Sequence, residues 1–375
     1  ATSAWNGDKG FDPIGFADTL DGLGHEIIGL NVNRPDATYA GLFGATSNAN
    51  LQNITLRDAT ITGKTAGGLV GLASGTSFTN ITSLNINVTG TDHVGGLVGQ
   101  AIGDTKFNTI RLDDINVTGT GNVGGLVGNA YQGTTIETSY AKGTVTSTGT
   151  NSVGTNAGGL VGWAVHADIK TSYAAADVSS TSETASNTVG GLVGSAINTN
   201  ITNAYATGDV EASNKTVYIG GLVGKTDGST IANTYATGEV TGHSQGDAGG
   251  LVGSVDGGTI TASLWDTETT GQERGVGNTA DATGKTSAEL RTQETYTDAG
   301  WKDFDETWFM VDGQTRPFLR FEHSQTITNP HQLQLMAMKP DLDYTLGADI
   351  DMQAALQASH KDGNTDRYSG MWGAA

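Results

Sequence analysis

Five residues, Gly-Gly-Leu-Val-Gly, return at 67–71, 95–99, 124–128, 158–162, 190–194, 220–224 and 249–253, after a variant at Gly41-Leu42-Phe43-Gly44. A short motif at a period near 30 residues marks a chain built of stacked copies of one supersecondary unit. The motif leucines Leu42, Leu69, Leu97, Leu126, Leu160, Leu192, Leu222 and Leu251 are 27, 28, 29, 34, 32, 30 and 29 residues apart. Nearly all of the variation falls in one polar stretch ahead of each motif. A stacked coil tolerates insertion only where the chain bulges outward, because closing a longer loop costs little extra.

Each unit has a constant grammar. An apolar residue follows the leucine after a short fixed interval: Leu51, Phe78, Phe107, Ile136, Ile169, Ile201, Ile231 and Ile260. Later units add Tyr140, Tyr173, Tyr205 and Tyr235, then a small residue and a valine, as in Gly143-Thr144-Val145. Three short β-propense pieces separated by small or polar corners make one coil of a parallel β-helix. Helical periodicity is absent, and glycine in a helix interior costs about 1 kcal/mol relative to alanine. The fold class is therefore all-β, a parallel β-solenoid of roughly 30-residue rungs. At about 4.8 Å per rung, the repeats make a rod of about 40 Å before the flanks are added.

Strand alternation predicts that Leu97, Gly99 and Ala101 share the core face. The position held by Gln100, Asn129, Ser195, Lys225 and Ser254 then faces solvent. By the same alternation Val98 either points outward, as a lateral contact stripe, or sits at a bend that turns it inward; the bend is the preferred reading. The glycines permit a corner too tight for a Cβ.

Four segments follow. Residues 1–40 read as irregular opening rungs, 41–265 as the repeat array, and 266–330 as an aromatic-rich insert. Residues 331–375 read as a short helix and strand leading toward a next repeat or a stacked copy. Within the insert, Thr286-Ser287-Ala288-Glu289 is a capping-box signature ahead of Leu290. Trp301, Phe304, Trp308, Phe309, Phe318 and Phe321 supply a small satellite core. Asn329-Pro330 starts another helix through Met338. Tyr344 to Asp351 resumes strand character.

Composition excludes several functions. A formal net charge of −20 disfavours nucleic acid and anionic lipid as main partners. There is no cysteine, hence no thiol or disulfide chemistry. No run of about 18 apolar residues is present, so no membrane insertion is expected, and no leader opens the sequence, as expected of a mature fragment if the protein is exported.

Catalytic and cofactor motifs are weak. Gly119-x-Gly121-x-x-Gly124 matches a dinucleotide fingerprint but runs directly into the repeat motif rather than a helix. Gly-Lys-Thr at 63–65, 224–226 and 284–286 lacks the upstream glycine of a phosphate loop. His25, His93, His166, His243, His323, His331 and His360 are scattered without ligand spacing. Asp113 and Asp114 are adjacent, which in a strand sends them to opposite faces. Asp303/Asp305, Asp341/Asp343 and Asp349/Asp351 could each share a face. Asp349 and Asp351 are the candidates for Ca²⁺ ligation, and no catalytic residue or other cofactor is assigned. Asn53, Asn80, Asn87, Asn116, Asn200 and Asn214 head Asn-x-Thr sites that could carry sugar.

The repeat pentapeptide with its Tyr-Ala-x-Gly-x-Val companion resembles the GLUG motif of large bacterial surface proteins. The flanks resemble them too: Trp265-Asp266-Thr267-Glu268-Thr269-Thr270-Gly271, Pro317-Phe318-Leu319, Tyr344 to Asp351, Phe11-Asp12-Pro13-Ile14-Gly15 and Asp21-Gly22-Leu23-Gly24-His25. Together these look like filamentous-haemagglutinin-like and high-molecular-weight adhesins exported by two-partner secretion. The resemblance implies a right-handed β-helical fibre at the surface of a Gram-negative bacterium, used for attachment. It implies a non-enzyme whose partners are copies of itself and host or matrix glycans or proteins. In such families the segment like Tyr344–Asp351 leads into the one like Phe11–His25; here they lie at opposite ends, which suggests one cycle of a tandem array or units stacked end to end. The alternative is a carbohydrate-active or glycan-binding β-helix of polysaccharide lyase or glycosidase type, with the long loops before Gly158 and Gly190 walling a groove.

Overall fold

The computed structural model describes residues 4–149, 154–182, 187–213, 217–242, 247–279, 282–302 and 304–350. The chain divides into two compact units, Ala1–Gly284 and Lys285–Ala375.

The first unit is a parallel β-solenoid whose coils run through three sheets, entering one of them either as a single long strand or as two or three shorter ones. One sheet has nine strands among the described residues, from Ile14–Phe16 to Val252–Asp256, and contains the strands that follow each motif leucine. A second is built from long strands such as Ser77–Gly90 and Lys106–Gly119, which bend at a corner without losing their pairing. The third holds short strands ending at the first motif glycine, such as His93–Gly95 and Asn122–Gly124. Register stacks like on like. Val98 pairs with Val70 and Val127, and Ala101 pairs with Ala73 and Ala130.

The motif makes the arch between two of these sheets. Gly95 ends a short strand, Gly96 and Leu97 form the bend, and Val98 opens the next strand. A Cβ at Gly95 would overlap the Val98 carbonyl, and one at Gly96 would overlap the Gly125 carbonyl in the next coil. At Gly99 it would lie 2.8 Å from the Gly71 carbonyl oxygen and 2.9 Å from the Ala66 nitrogen. The arch closes because backbone touches backbone where any side chain would intervene.

Leu69, Leu97, Leu126, Leu160, Leu192, Leu222 and Leu251 are fully buried, and Leu42 is 9% exposed. Complete burial of a leucine is worth about 1.5–3 kcal/mol, so this column is a large share of the core. The motif valines are fully buried as well, at Val70, Val98, Val127, Val161, Val193, Val223 and Val252. The bend therefore turns valine inward, and no valine contact stripe exists. Simple alternation fails at Gly99, which faces the backbone of the short-strand sheet, so that Val98 and Ala101 share the core.

Two further columns hold the coils in step. Tyr140, Tyr173, Tyr205 and Tyr235 stack with centroids 4.9, 4.7 and 4.9 Å apart, matching the rung spacing. At another corner Asn53, Asn80, Thr109, Thr138, Thr171, Asn203, Asn233 and Ala262 all adopt positive φ, between 47° and 60°. Asparagine tolerates this region because its short amide bonds locally. Here Asn80 Nδ2 donates to Asn53 Oδ1 at 2.8 Å and Asn233 Nδ2 to Asn203 Oδ1 at 3.2 Å.

The ladder also extends beyond 41–265. Ile14–Phe16, Thr19–Asp21, Glu26–Ile28, Asn31–Asn33 and Tyr39–Ala40 each pair in parallel with the following coil. At the other end, Leu251 N–H donates to the Gly275 carbonyl at 2.9 Å and Gly250 N–H to Arg274 at 2.8 Å. Arg274-Gly275-Val276-Gly277 thus takes the place of another motif, disguised by the loss of its first glycine and its leucine.

In the second unit Leu290, Tyr296, Trp301, Trp308, Phe318 and Leu319 are buried together, with the Trp301 and Trp308 rings 4.6 Å apart. The capping box is present: Thr286 N–H donates to the Glu289 carboxylate at 2.8 Å, and Glu289 N–H to Thr286 Oγ1 at 3.2 Å. The Thr286 N–H and the Thr286 hydroxyl, both donating to the carboxylate, hold the Glu289 carboxyl below its ordinary pKa. Helix Pro330–Leu335 is capped by Asn329, which accepts from Gln332 N–H at 2.9 Å, and a 3-10 turn continues it through Met338. Of the Tyr344–Asp351 segment, only Thr345–Leu346 forms a strand among the described residues, pairing in parallel with Thr326–Ile327.

Two substitutions test the arch. Leu126→Ala should cost about 2–5 kcal/mol in chemical denaturation. Gly124→Ala should cost about 1–3 kcal/mol or more, although it adds only one methyl group, because the added carbon overlaps the Val127 carbonyl.

Candidate functional surface

With the motif committed to the core, sequence variation is left to the outward columns. Next to the arch two columns run side by side. On the short-strand sheet, His93, Asn122, Asn156 and Thr188 lie in register. Asn156 Nδ2 donates to Asn122 Oδ1 at 2.7 Å, Asn122 Nδ2 meets His93 Nδ1 at 3.2 Å, and the Thr188 hydroxyl donates to Asn156 Oδ1. Facing this column across the arch are Leu72, Gln100, Asn129, Trp163, Ser195, Lys225 and Ser254. Tyr218 continues the first column beyond Thr188, and Lys225 Nζ sits 5.3 Å from its ring centre, bringing the two columns into contact. Trp163 escapes notice in the sequence because its column is otherwise mostly polar. Only its register with Gln100 and Asn129 shows that an indole faces out there.

His93 is largely buried in this amide ladder. Burial lowers its pKa, with Asp92 acting in the opposite direction. His323, in the second unit, is also lowered, by burial and by Lys339. His331 Nε2 lies 2.8 Å from the Glu322 carboxylate.

Several of the carboxylates singled out in the sequence lie among the described residues. Asp113 accepts from the Tyr140 hydroxyl at 2.7 Å and lies 3.9 Å from Lys142 Nζ. Asp114 has φ 55°, which breaks strand alternation; both aspartates face outward rather than to opposite sides. Asp341, Asp343 and Asp349 are exposed, while Asp303 and Asp351 lie outside the described residues. Among the described residues no group of three or more His, Asp or Glu is arranged to hold a metal ion.

The Gly119–Gly124 stretch is a strand end, a turn and the short strand Asn122–Gly124, with no helix N-terminus to receive a phosphate. Gly63-Lys64-Thr65 is a turn between strands, and Gly224-Lys225-Thr226 lies within the strand Val223–Asp227.

Of the glycosylation candidates, Asn53 and Asn80 occupy the positive-φ corner. Asn87 and Asn116 stand on a sheet face, where Asn116 Nδ2 donates to Asn87 Oδ1 at 3.2 Å. Asn200 Nδ2 donates to Asp168 at 2.7 Å. Asn214, His243 and His360 lie outside the described residues. A cavity of about 530 Å³ adjoins the last coil, lined by Trp265, Thr267, Gln272, Glu273, Arg274 and Ala282.

Comparison with known proteins agrees with the repeat. The family model for the GLUG motif matches residues 119–146, 185–211 and 216–241. The chain thus carries a GLUG-repeat region. Halomucin of Haloquadratum walsbyi is 37% identical over 109 residues, which is 27% of this chain and 1% of that protein. Among solved structures, a Bacteroides ovatus protein provisionally described as an immunoglobulin A1 protease aligns over 80% of this chain and 76% of its own. With a TM-score of 0.39 and 15% identity, that alignment supports no inference.

The lowered His93 pKa sets a direction for pH dependence. The unfolded chain binds this proton more readily, so the ladder's stability is full above the ordinary value of 6.5 and declines as pH falls through it toward the folded pKa. His93→Gln should flatten the fall of melting temperature between about pH 7.5 and about pH 5. Equal slopes in the two proteins would contradict this account of His93.

Proposed function

We propose that this GLUG-repeat solenoid is part of an extracellular structural protein that forms a rod and serves attachment or cell–cell and matrix contact. Its place outside the cell is supported by the match to halomucin and by the acidic surface. The adhesin character, the two-partner export and the Gram-negative surface come from the sequence resemblance and belong to the same proposal. The chain spans only 1% of the curated relative it matches, so the activity of any larger protein is part of the proposal too. No helix among the described residues is long and apolar enough to cross a membrane. We read the chain as non-catalytic, without a resident cofactor, and with Asp349 as no more than an exposed carboxylate.

The observation that carries the rod reading is where apolar surface is left uncovered. Among the described residues the exposed large hydrophobic side chains are Trp5, Ile14, Leu23, Ile28, Leu84, Leu342 and Leu346. Four belong to the first coil or to the segment before it, while Leu346 lies in the strand Thr345–Leu346 and Leu342 just ahead of it. Among the described residues Ile14–Phe16, Thr19–Asp21, Glu26–Ile28 and Tyr39–Ala40 pair on one side alone, leaving backbone donors and acceptors for another coil, while Asn31–Asn33 is bridged on its second side by Lys9–Phe11. An open solenoid edge of this kind grows by adding a strand of the same geometry. The partner is therefore another coil of this type, supplied by a further copy.

Light scattering at rising concentration, with electron microscopy of the same samples, tests this. The unaltered chain should form end-to-end species, and Leu23→Asp with Ile28→Asp should reduce them to single rods without lowering β content. A strictly monomeric species at the highest concentration would contradict end-to-end assembly.

A further inference from the structure

The nine-stranded sheet presents one outward patch unlike the rest of this acidic chain. Gln100, Asn129 and Trp163 follow one another in register on three consecutive coils. Tyr131 lies two positions beyond Asn129 on the same strand, and hence on the same face. Trp163, Tyr131 and Gln100 are partly exposed, while Asn129 is 4% exposed and its Oδ1 has no hydrogen-bond partner. Among the described residues no ion pair, ring contact or hydrogen bond engages the side chain of any of these four. Their neighbours on this face, Ile102 and Val165, are uncharged.

We infer that this patch binds a neutral, unbranched glycan lying along the solenoid axis. Two rings without partners offer flat faces for the C–H side of pyranose residues, and the partly exposed Gln100 amide offers a donor and an acceptor for ring hydroxyls, with Asn129 behind it. The column advances about 4.8 Å per coil, close to the advance of an extended sugar chain per residue. A net charge of −20 repels both an anionic polysaccharide and a second copy of the chain approaching sideways. A purely apolar peptide would leave the amides unsatisfied. The inference deepens the attachment reading and rests on it only for placing the protein where free glycans occur. Binding at this patch is independent of end-to-end assembly.

The test is calorimetric titration of the purified chain with cellohexaose, laminarihexaose, mannohexaose and maltohexaose, with hexagalacturonate as the charged control. At least one neutral hexasaccharide should bind, and Trp163→Ala should weaken it by about ten-fold or more. Gln100→Ala should weaken it less, and Trp5→Ala should leave it unchanged. Gln100→Ala also serves where Trp163→Ala fails to fold, since the amide fills no core position. Binding of none of the four neutral sugars, tighter binding of hexagalacturonate, or equal affinity in the Trp163→Ala protein overturns the inference. Filaments formed by a Trp163→Ala protein that no longer binds sugar would separate this site from the rod reading.

Discussion

The structure depends on one close approach: the backbone of Gly95 against that of Val98 and of the adjacent coil, repeated at every arch. Removing three side chains from a five-residue turn lets two strands of one coil meet at an angle no substituted residue permits. Leucine and valine at the bend then both fall inward. Glycine is entropically costly to order, and the chain holds 56 of them. What offsets that cost is a column of fully buried leucine and valine at each arch, together with ladders of backbone hydrogen bonds between coils.

Because the arch fixes the interior, the coils differ from one another mainly on the outside. The two columns that flank the arch carry an amide ladder at Asn122 and Asn156, a cation over a ring at Lys225 and Tyr218, and an aromatic platform at Trp163. Within each column the residues occupy equivalent positions of the stack, so a change at one alters the surface without disturbing register. A repeat protein of this kind separates folding from recognition: binding chemistry can be varied coil by coil, while the ends govern extension.

Much of this was legible in the sequence, and what was not has physical causes. The leucine column, the parallel coil, the Tyr140–Tyr235 stack, the Thr286/Glu289 capping box and the Asn329 cap all follow from residue types with strong local preferences. The corner at Thr109, Thr138, Thr171 and Ala262 was not legible, because these residues do not favour positive φ, yet they share it with Asn53, Asn80, Asn203 and Asn233 in the same stack. Alternation misled at Gly99 and at Asp114 because each sits where the backbone leaves the regular pleat. The last arch at Arg274–Gly277 was hidden by loss of the leucine, although its backbone bonds are those of its neighbours. Trp163 and Tyr131 carry no repeat signal of their own, and only register places them beside Gln100 and Asn129. That is information about the third dimension, which a repeat of variable length does not give in one.

The most direct test of the central claim, that a glycine-closed arch fixes the inside and frees the outside, is a saturation scan of residues 116–146 read by the folded fraction of each variant. Gly124, Gly125, Leu126, Val127 and Gly128 should reject nearly every substitution, glycine positions rejecting even alanine, while Asn116, Thr118 and Thr144 on the outer face accept most. If Gly124 and Gly128 accepted alanine and serine while the outer positions did not, the arch would not be what holds this solenoid together.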